Sequence, residues 1–279
     1  MLNKDLVELS ELMSGGETEI IPIMTEENIK DLSVSDMPEL LPILPLKGNV
    51  FFPGVIIPIN AGREKSVKLI KTAYKNKQII GIVAQKSADI EDPTTADLYK
   101  VGTMAKVIKT LNMPDGTTMV ILQGMDRFSL EELVQTEPYW VGKAIEYPDG
   151  AKELPENYMA LAEAVKDMYL RVLKMVPNIP ADPSFAIQNI ENPYFLLNYV
   201  AAHLDVNVSE KQKLLETNDF SKRANKVLSI LSKELELQKL KLEIQKKVSS
   251  DMDKQQRDYL LTQQLKTIQE ELGGSPSDL

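Results

Sequence analysis

The sequence predicts an α+β protein: a β-rich domain with one helix, then a small helical bundle, then one long coiled-coil-like helix. Three observations carry this expectation. Short apolar runs punctuated by proline and glycine fill residues 39–150, and apolar residues stepping by three and four fill much of 151–218. Between Phe220 and Leu272 there is no proline and no glycine at all. The chain therefore divides into four zones: 1–38, 39–150, 151–218 and 219–279.

The first zone is acidic. Residues 1–40 set Lys4 and Lys30 against ten acids, a net of -8 out of the chain's -9. Leu6, Leu9 and Met13 offer a turn or two of amphipathic helix, too short to persist alone. The expectation is a solubilising, mostly disordered tail, open to proteolysis near Gly15-Gly16.

The second zone reads as strands around one helix. Two prolines make Leu40–Leu46 extended, because neither fits a helix interior. Phe51-Phe-Pro-Gly54 turns the chain into a second extended segment, Val55–Ile59. Gly62 opens a helix in which Val67, Ile70, Ala73 and Tyr74 share one side, opposite Lys65, Lys68 and Lys75. Ile79–Ala84 is apolar throughout, as in a strand buried on both faces. Met104–Leu111 and Thr118–Gln123 flank Met113-Pro-Asp-Gly-Thr117, whose proline and glycine suit a type I turn and hence a hairpin. Phe128–Val134 and Tyr139–Tyr147 complete a small, partly closed barrel.

In the third zone Tyr158, Leu161, Val165, Met168, Val172 and Met175 form one apolar helical stripe, expected to be core. Asn192-Pro193 is an N-cap followed by proline at the first helical position, and Ser209 to Gln212 fits a capping box. The fourth zone, a helix over about 219–272, would reach about 75–80 Å. Leu261, Leu265, Ile268 and Leu272 follow a coiled-coil seam. Leu235, Leu237, Leu240, Leu242 and Ile244 spread around the helix, and this segment is expected to pack on the bundle. Gly273-Gly-Ser-Pro276 ends it.

Composition excludes much chemistry. The 279 residues include no cysteine and one histidine, so thiolate nucleophiles, disulfides, zinc-thiolate sites and multi-histidine metal sites are ruled out. His203, near the end of an apolar helix, is expected to serve that helix end. The sole Gly-Lys pair, Gly142-Lys143, is followed by Ala144 and not by the hydroxyl of a phosphate-binding GxxxxGK[ST] loop. Glu131-Glu132 reads as a wet strand surface. Residues 41–279 are nearly charge-balanced, and Lys222, Arg223, Lys226, Lys233, Lys246 and Lys247 alternate with acids, which disfavours nucleic acid as a partner. With no signal region and no long apolar run, the expected location is cytoplasmic, without a membrane.

A set of short motifs, in order, resembles a known family. They are Leu44-Pro-Leu, Phe52-Pro, Ile57-Pro-Ile, Gly62-Arg-Glu-Lys-Ser66, Val83-Ala-Gln-Lys86 and Leu98-Tyr-Lys-Val-Gly-Thr103. Pro114-Asp-Gly-Thr117, Gln123-Gly-Met-Asp-Arg127, Lys213-Leu-Leu-Glu216, Lys233-Glu-Leu-Glu236 and Gln264-Leu-Lys-Thr-Ile-Gln-Glu-Glu-Leu-Gly273 follow. Together, over about 40–273, they resemble the N-terminal region of the bacterial type of Lon ATP-dependent protease.

The resemblance implies a PUA-like pseudo-barrel, a helical bundle, and a long helix leading to an AAA+ module. It implies a homohexameric parent with a serine-lysine protease domain, acting in quality control on misfolded and regulatory proteins. ATP and magnesium would belong to that parent, with no cofactor, metal or catalytic residue in this stretch. The implied partners are unfolded or degron-bearing proteins and the other subunits. Arg63, Glu64, Lys65 and Lys68 are the expected substrate-binding residues, and Leu261, Leu265, Ile268 and Leu272 the expected self-association seam. The alternative reading is a stand-alone scaffold protein without protease activity.

Overall fold

The computed structural model describes residues 37–113, 117–148, 156–175 and 184–271. The acidic tail with Gly15-Gly16, the turn residues 114–116, Leu272 and the glycines that follow it lie outside the described residues.

Six strands form one sheet: β1 Leu40–Leu46, β2 Ile56–Ala61, β3 Ile80–Ala84, β4 Val101–Asn112, β5 Thr118–Gln135 and β6 Val141–Glu146. Their order is β2-β5-β4-β3-β1-β6, and β6 also pairs with β5, so five strands close into a barrel. Closure depends on β5. The sequence suggested two strands there, whereas the structure has one of 18 residues. Thr118–Gln123 pairs with β2, Thr118–Ser129 with β4, and Phe128–Gln135 with β6. Register shifts after Leu130 and Leu133 let this single strand turn the barrel's corner.

Strand β3 is buried at all five residues, between parallel β1 and antiparallel β4. Its alternating side chains feed two cores. Ile80 and Ile82 join Leu44, Leu69, Ile70 and Leu122, while Val83 joins Leu41, Ile43, Met104 and Phe128. An unbroken apolar run is the sequence signature of such a position.

The parallel β1–β3 pairing requires a crossover, which contains α1, Glu64–Asn76. Its buried face is Ser66, Leu69, Ile70 and Ala73. The expected face was displaced: Tyr74 is exposed and Val67 is only partly buried, because Leu69 takes the central place over the sheet.

The helices that follow are α2 Glu156–Met175, α3 Ser184–Gln188, α4 Pro193–His203 and α5 Val208–Leu215. On α2 the buried residues are Ala162, Val165, Tyr169 and Val172, so Leu161 and Met168 of the expected stripe sit at its margin. Helix α4 is buried from Phe195 to Ala201, which accounts for apolar residues all round it. Asn192 caps it as expected, accepting from the Phe195 amide at 3.0 Å. The Ser209–Gln212 capping box does not form. Asn207 caps α5 instead, accepting from the Glu210 amide at 2.9 Å, and Gln212 is buried against the barrel.

Helix α6 runs from Phe220 to Glu271. The chain divides within it, into one compact unit ending at Leu231 and a second beginning at Ser232. In the first unit Phe220, Arg223, Ala224, Val227 and Leu231 are buried. Phe220 stacks on Tyr158 at 4.6 Å and meets Tyr194 edge-on at 5.0 Å. The fully buried Arg223 guanidinium donates to the Thr217 carbonyl and to Asn198 Oδ1, both at 2.9 Å.

In the second unit no described residue is buried. Along this stretch Leu237, Leu240 and Ile244 are about half exposed, and Leu235 and Leu242 are partly buried. The reason lies in the spacing: after Leu231 the helix loses the single apolar face that Phe220, Ala224, Val227 and Leu231 present. No described helix is long and apolar enough to cross a membrane.

Candidate functional site

The start of α1 gathers the four predicted polar residues. Arg63 occupies the N-cap position, and its guanidinium donates to Gln85 Oε1 at 2.8 Å and to the Ile90 carbonyl at 3.5 Å. Gln85 is buried and also donates to Ile90, at 3.1 Å. Arg63 thus ties the helix start to the loop after β3. Lys65 pairs with Glu137 at 2.6 Å and donates to the Thr136 carbonyl, on the loop between β5 and β6.

Lys68 pairs with Glu64 one turn away, at 2.6 Å. The hydrogen bond from Lys68 and its charge hold the Glu64 carboxyl below its ordinary range, and the same contact raises Lys68. Both ion pairs are solvent-exposed, so each contributes little to stability and exchanges readily for a charge on another molecule.

A second surface lies on the outside of the barrel corner. In β6, Gly142 and Ala144 point inward while Val141, Lys143 and Ile145 point outward. Leu40 of β1 stands opposite Lys143, and directly paired residues share a face. Leu40 is 51% exposed, Ile145 47% and Val134, at the end of β5, 51%. Lys143 is held among them by Glu39 at 3.3 Å. Sequence reading missed these apolar residues, although alternation around Gly142 and Ala144 was there to be read. Glu131 and Glu132 are exposed on the neighbouring stretch of β5, as expected.

The barrel is locked to the helices that follow it. Buried Arg127, at the end of the Gln123-Gly-Met-Asp-Arg127 motif, donates to the Leu215 carbonyl at 2.5 Å and to Pro148 at 3.2 Å. Its guanidinium also lies 5.1 Å from the centre of the Tyr147 ring, and the Tyr147 hydroxyl donates to the Glu216 carbonyl at 2.9 Å. Gln212 donates from α5 to the Val101 carbonyl of β4 at 2.9 Å. Gly54, with φ of 81°, leaves room for the Phe195 ring of α4: a Cβ there would sit 2.5 Å from a ring carbon. Both surfaces therefore stand on one body that includes the bundle.

None of this assembles reactive groups. Among the described residues no three His, Asp or Glu side chains group as metal ligands. Gly142-Lys143 lies inside β6, with Gly142 in register with both Leu41 and Leu133, so it offers no phosphate cradle. His203 sits in the last turn of α4, its Nδ1 2.7 Å from the Tyr199 carbonyl, which is the helix-end role expected.

Comparison with known proteins agrees with this architecture. Residues 40–233 match the family model described as the substrate-binding domain of ATP-dependent protease La (LON). The chain is 44% identical to the Lon protease of Flavobacterium johnsoniae over 278 residues, which is 98% of this chain and 33% of that protein. It is 41% identical to the Lon protease of Cytophaga hutchinsonii, covering 93% of this chain and 32% of that one. The chain thus spans about a third of the length of the curated relatives it matches. The N-terminal domain of Mycobacterium avium complex Lon protease shares the fold, with a TM-score of 0.56 at 18% identity, over 69% of this chain and 98% of that one. From Leu40 to Lys233, across barrel, bundle and the start of the long helix, this chain belongs to the Lon substrate-binding domain family.

Proposed function

We propose that this chain is the client-capturing region of an ATP-dependent serine protease, and that it binds unfolded or degron-bearing proteins without cleaving them. The observation that carries this reading is the family match itself, which spans barrel and bundle together. The parent would be a cytoplasmic homohexamer that removes misfolded and regulatory proteins. ATP, magnesium and the serine-lysine pair would act in the parts of the relatives that this chain does not match. Relatives about three times as long give the stand-alone scaffold reading no support.

Capture needs exposed apolar surface, to hold a segment that folded proteins keep inside, and charges that orient it. Leu40, Val134 and Ile145 supply the first. Arg63, Glu64, Lys65 and Lys68 supply the second, with Lys65 and Lys68 exposed and Arg63 fixed as the scaffold of the helix start. The test is binding of a fluorescent model protein in denatured and folded forms to the purified chain. The expected result is weak binding of the denatured form and about tenfold less for the folded form. Lys65→Glu with Lys68→Glu should weaken acidic clients more than neutral ones, and Leu40→Ser with Ile145→Ser should weaken both. Equal binding of folded and denatured forms would overturn the reading, as would ATP or peptide hydrolysis by the purified chain.

A further inference from the structure

Beyond Ser232, α6 exposes apolar residues along its length, and their spacing has an internal symmetry. Leu237, Leu240 and Ile244 step by three and four, and so do Leu261, Leu265 and Ile268. Continuing the same alternation through the gap lands on Lys247, Asp251, Lys254 and Asp258. One heptad seam therefore runs unbroken from Leu237 to Ile268, apolar at both ends and alternately charged in the middle. The six apolar residues are between 46% and 61% exposed. Among the described residues none of the four charged side chains makes an ion pair within its own chain.

Orientation follows from the charges. A parallel pairing of two such helices would place each seam residue against its own copy, stacking Lys on Lys and Asp on Asp in four consecutive layers. An antiparallel pairing about the midpoint between Lys247 and Asp258 matches every layer. Leu237 then faces Ile268 of the second copy, Leu240 faces Leu265, and Ile244 faces Leu261. Lys247 faces Asp258, and Asp251 faces Lys254. The seam reads the same way from either end, as a two-fold interface requires.

We propose that two copies of this chain pair through Leu237–Ile268 of α6 as an antiparallel coiled coil in this register. The pairing buries the exposed apolar ends and neutralises the charged centre. Val248, Met252 and Tyr259 fall off the seam and stay accessible. The seam shares no residue with the barrel surfaces, so this inference and client capture fail independently.

Cross-linking on the full chain tests the register, since it has no native cysteine. Ile244→Cys and Leu261→Cys proteins should each stay uncrosslinked when oxidised alone, and form a disulfide dimer when mixed. Cross-linking of Ile244→Cys with itself would show a parallel pair and overturn the proposal. Sedimentation over a wide concentration range gives the second readout. Asp251→Lys or Lys254→Asp alone should raise the dimer dissociation constant about tenfold or more, and the double exchange should return it to within about threefold. A strict monomer at all concentrations, or a double variant as weak as either single one, would equally refute it.

Discussion

Two stretches of one helix behave differently in this molecule. From Phe220 to Leu231, α6 buries five residues on one face, including an arginine. From Ser232 to Glu271 the same helix buries none. The difference is geometric. Phe220, Ala224, Val227 and Leu231 recur at helical spacing, and Phe220 meets Tyr158 of α2 and Tyr194 of α4, whereas Leu237, Leu240 and Ile244 fall on a different face of the helix. Apolar content alone does not define a core; its phase around the helix does.

The largest effect should come from Arg223. Its guanidinium is fully buried and satisfied by Thr217 and Asn198. Arg223→Met leaves those oxygens without their donor and should cost about 3 kcal/mol, seen as a lower denaturant midpoint of the first unit. A stability unchanged within error would mean the two acceptors find other donors.

Gly54→Ala should come next. It forces a side chain onto a left-handed backbone and against Phe195, so a loss of about 2 kcal/mol is expected by urea unfolding. Phe195→Leu in the same chain should recover part of it, by removing the ring while the backbone strain remains.

Tyr199 gives a pH test. Burial raises its hydroxyl from 10.0 to about 12. The unfolded chain therefore ionises first, so stability is full below pH 10 and declines as pH rises toward 12, by about 2 kcal/mol at most. In Tyr199→Phe this alkaline decline should shrink, measured by urea midpoints between pH 8 and 11.

The smallest effect belongs to the outer helix. Met252→Gln, at a position 64% exposed and off the seam, should leave the urea midpoint within about 0.5 kcal/mol of the parent. A larger loss would show that this stretch has a partner the register does not supply.

Much of this fold was legible from residues. The prolines of Leu40–Leu46, the apolar run of β3, the Asn192-Pro193 cap and the glycine-free stretch of α6 each set local backbone geometry directly. The polar cluster at the start of α1 was legible for the same reason, as a helix beginning after Gly62. The outward apolar residues at the barrel corner were not, because Leu40 and Ile145 are more than a hundred positions apart and meet only through the pairing of β1 with β6.

What the sequence by itself determined was the kind and order of elements, since proline, glycine, caps and periodicity act within a few residues. Only the tertiary structure decided which strands close the barrel, which side of α1 and α2 faces inward, and where α6 leaves the core. It also decided the roles of Gln212 and Arg127, which look like surface polar residues in the sequence. Gln212 gives up a local capping box because the Val101 carbonyl of β4 comes within 2.9 Å of its amide, and a buried acceptor left without a donor is costly. Arg127 is buried because carbonyls of Pro148 and Leu215 converge on it. Such contacts join residues far apart in the chain, and no local pattern encodes them.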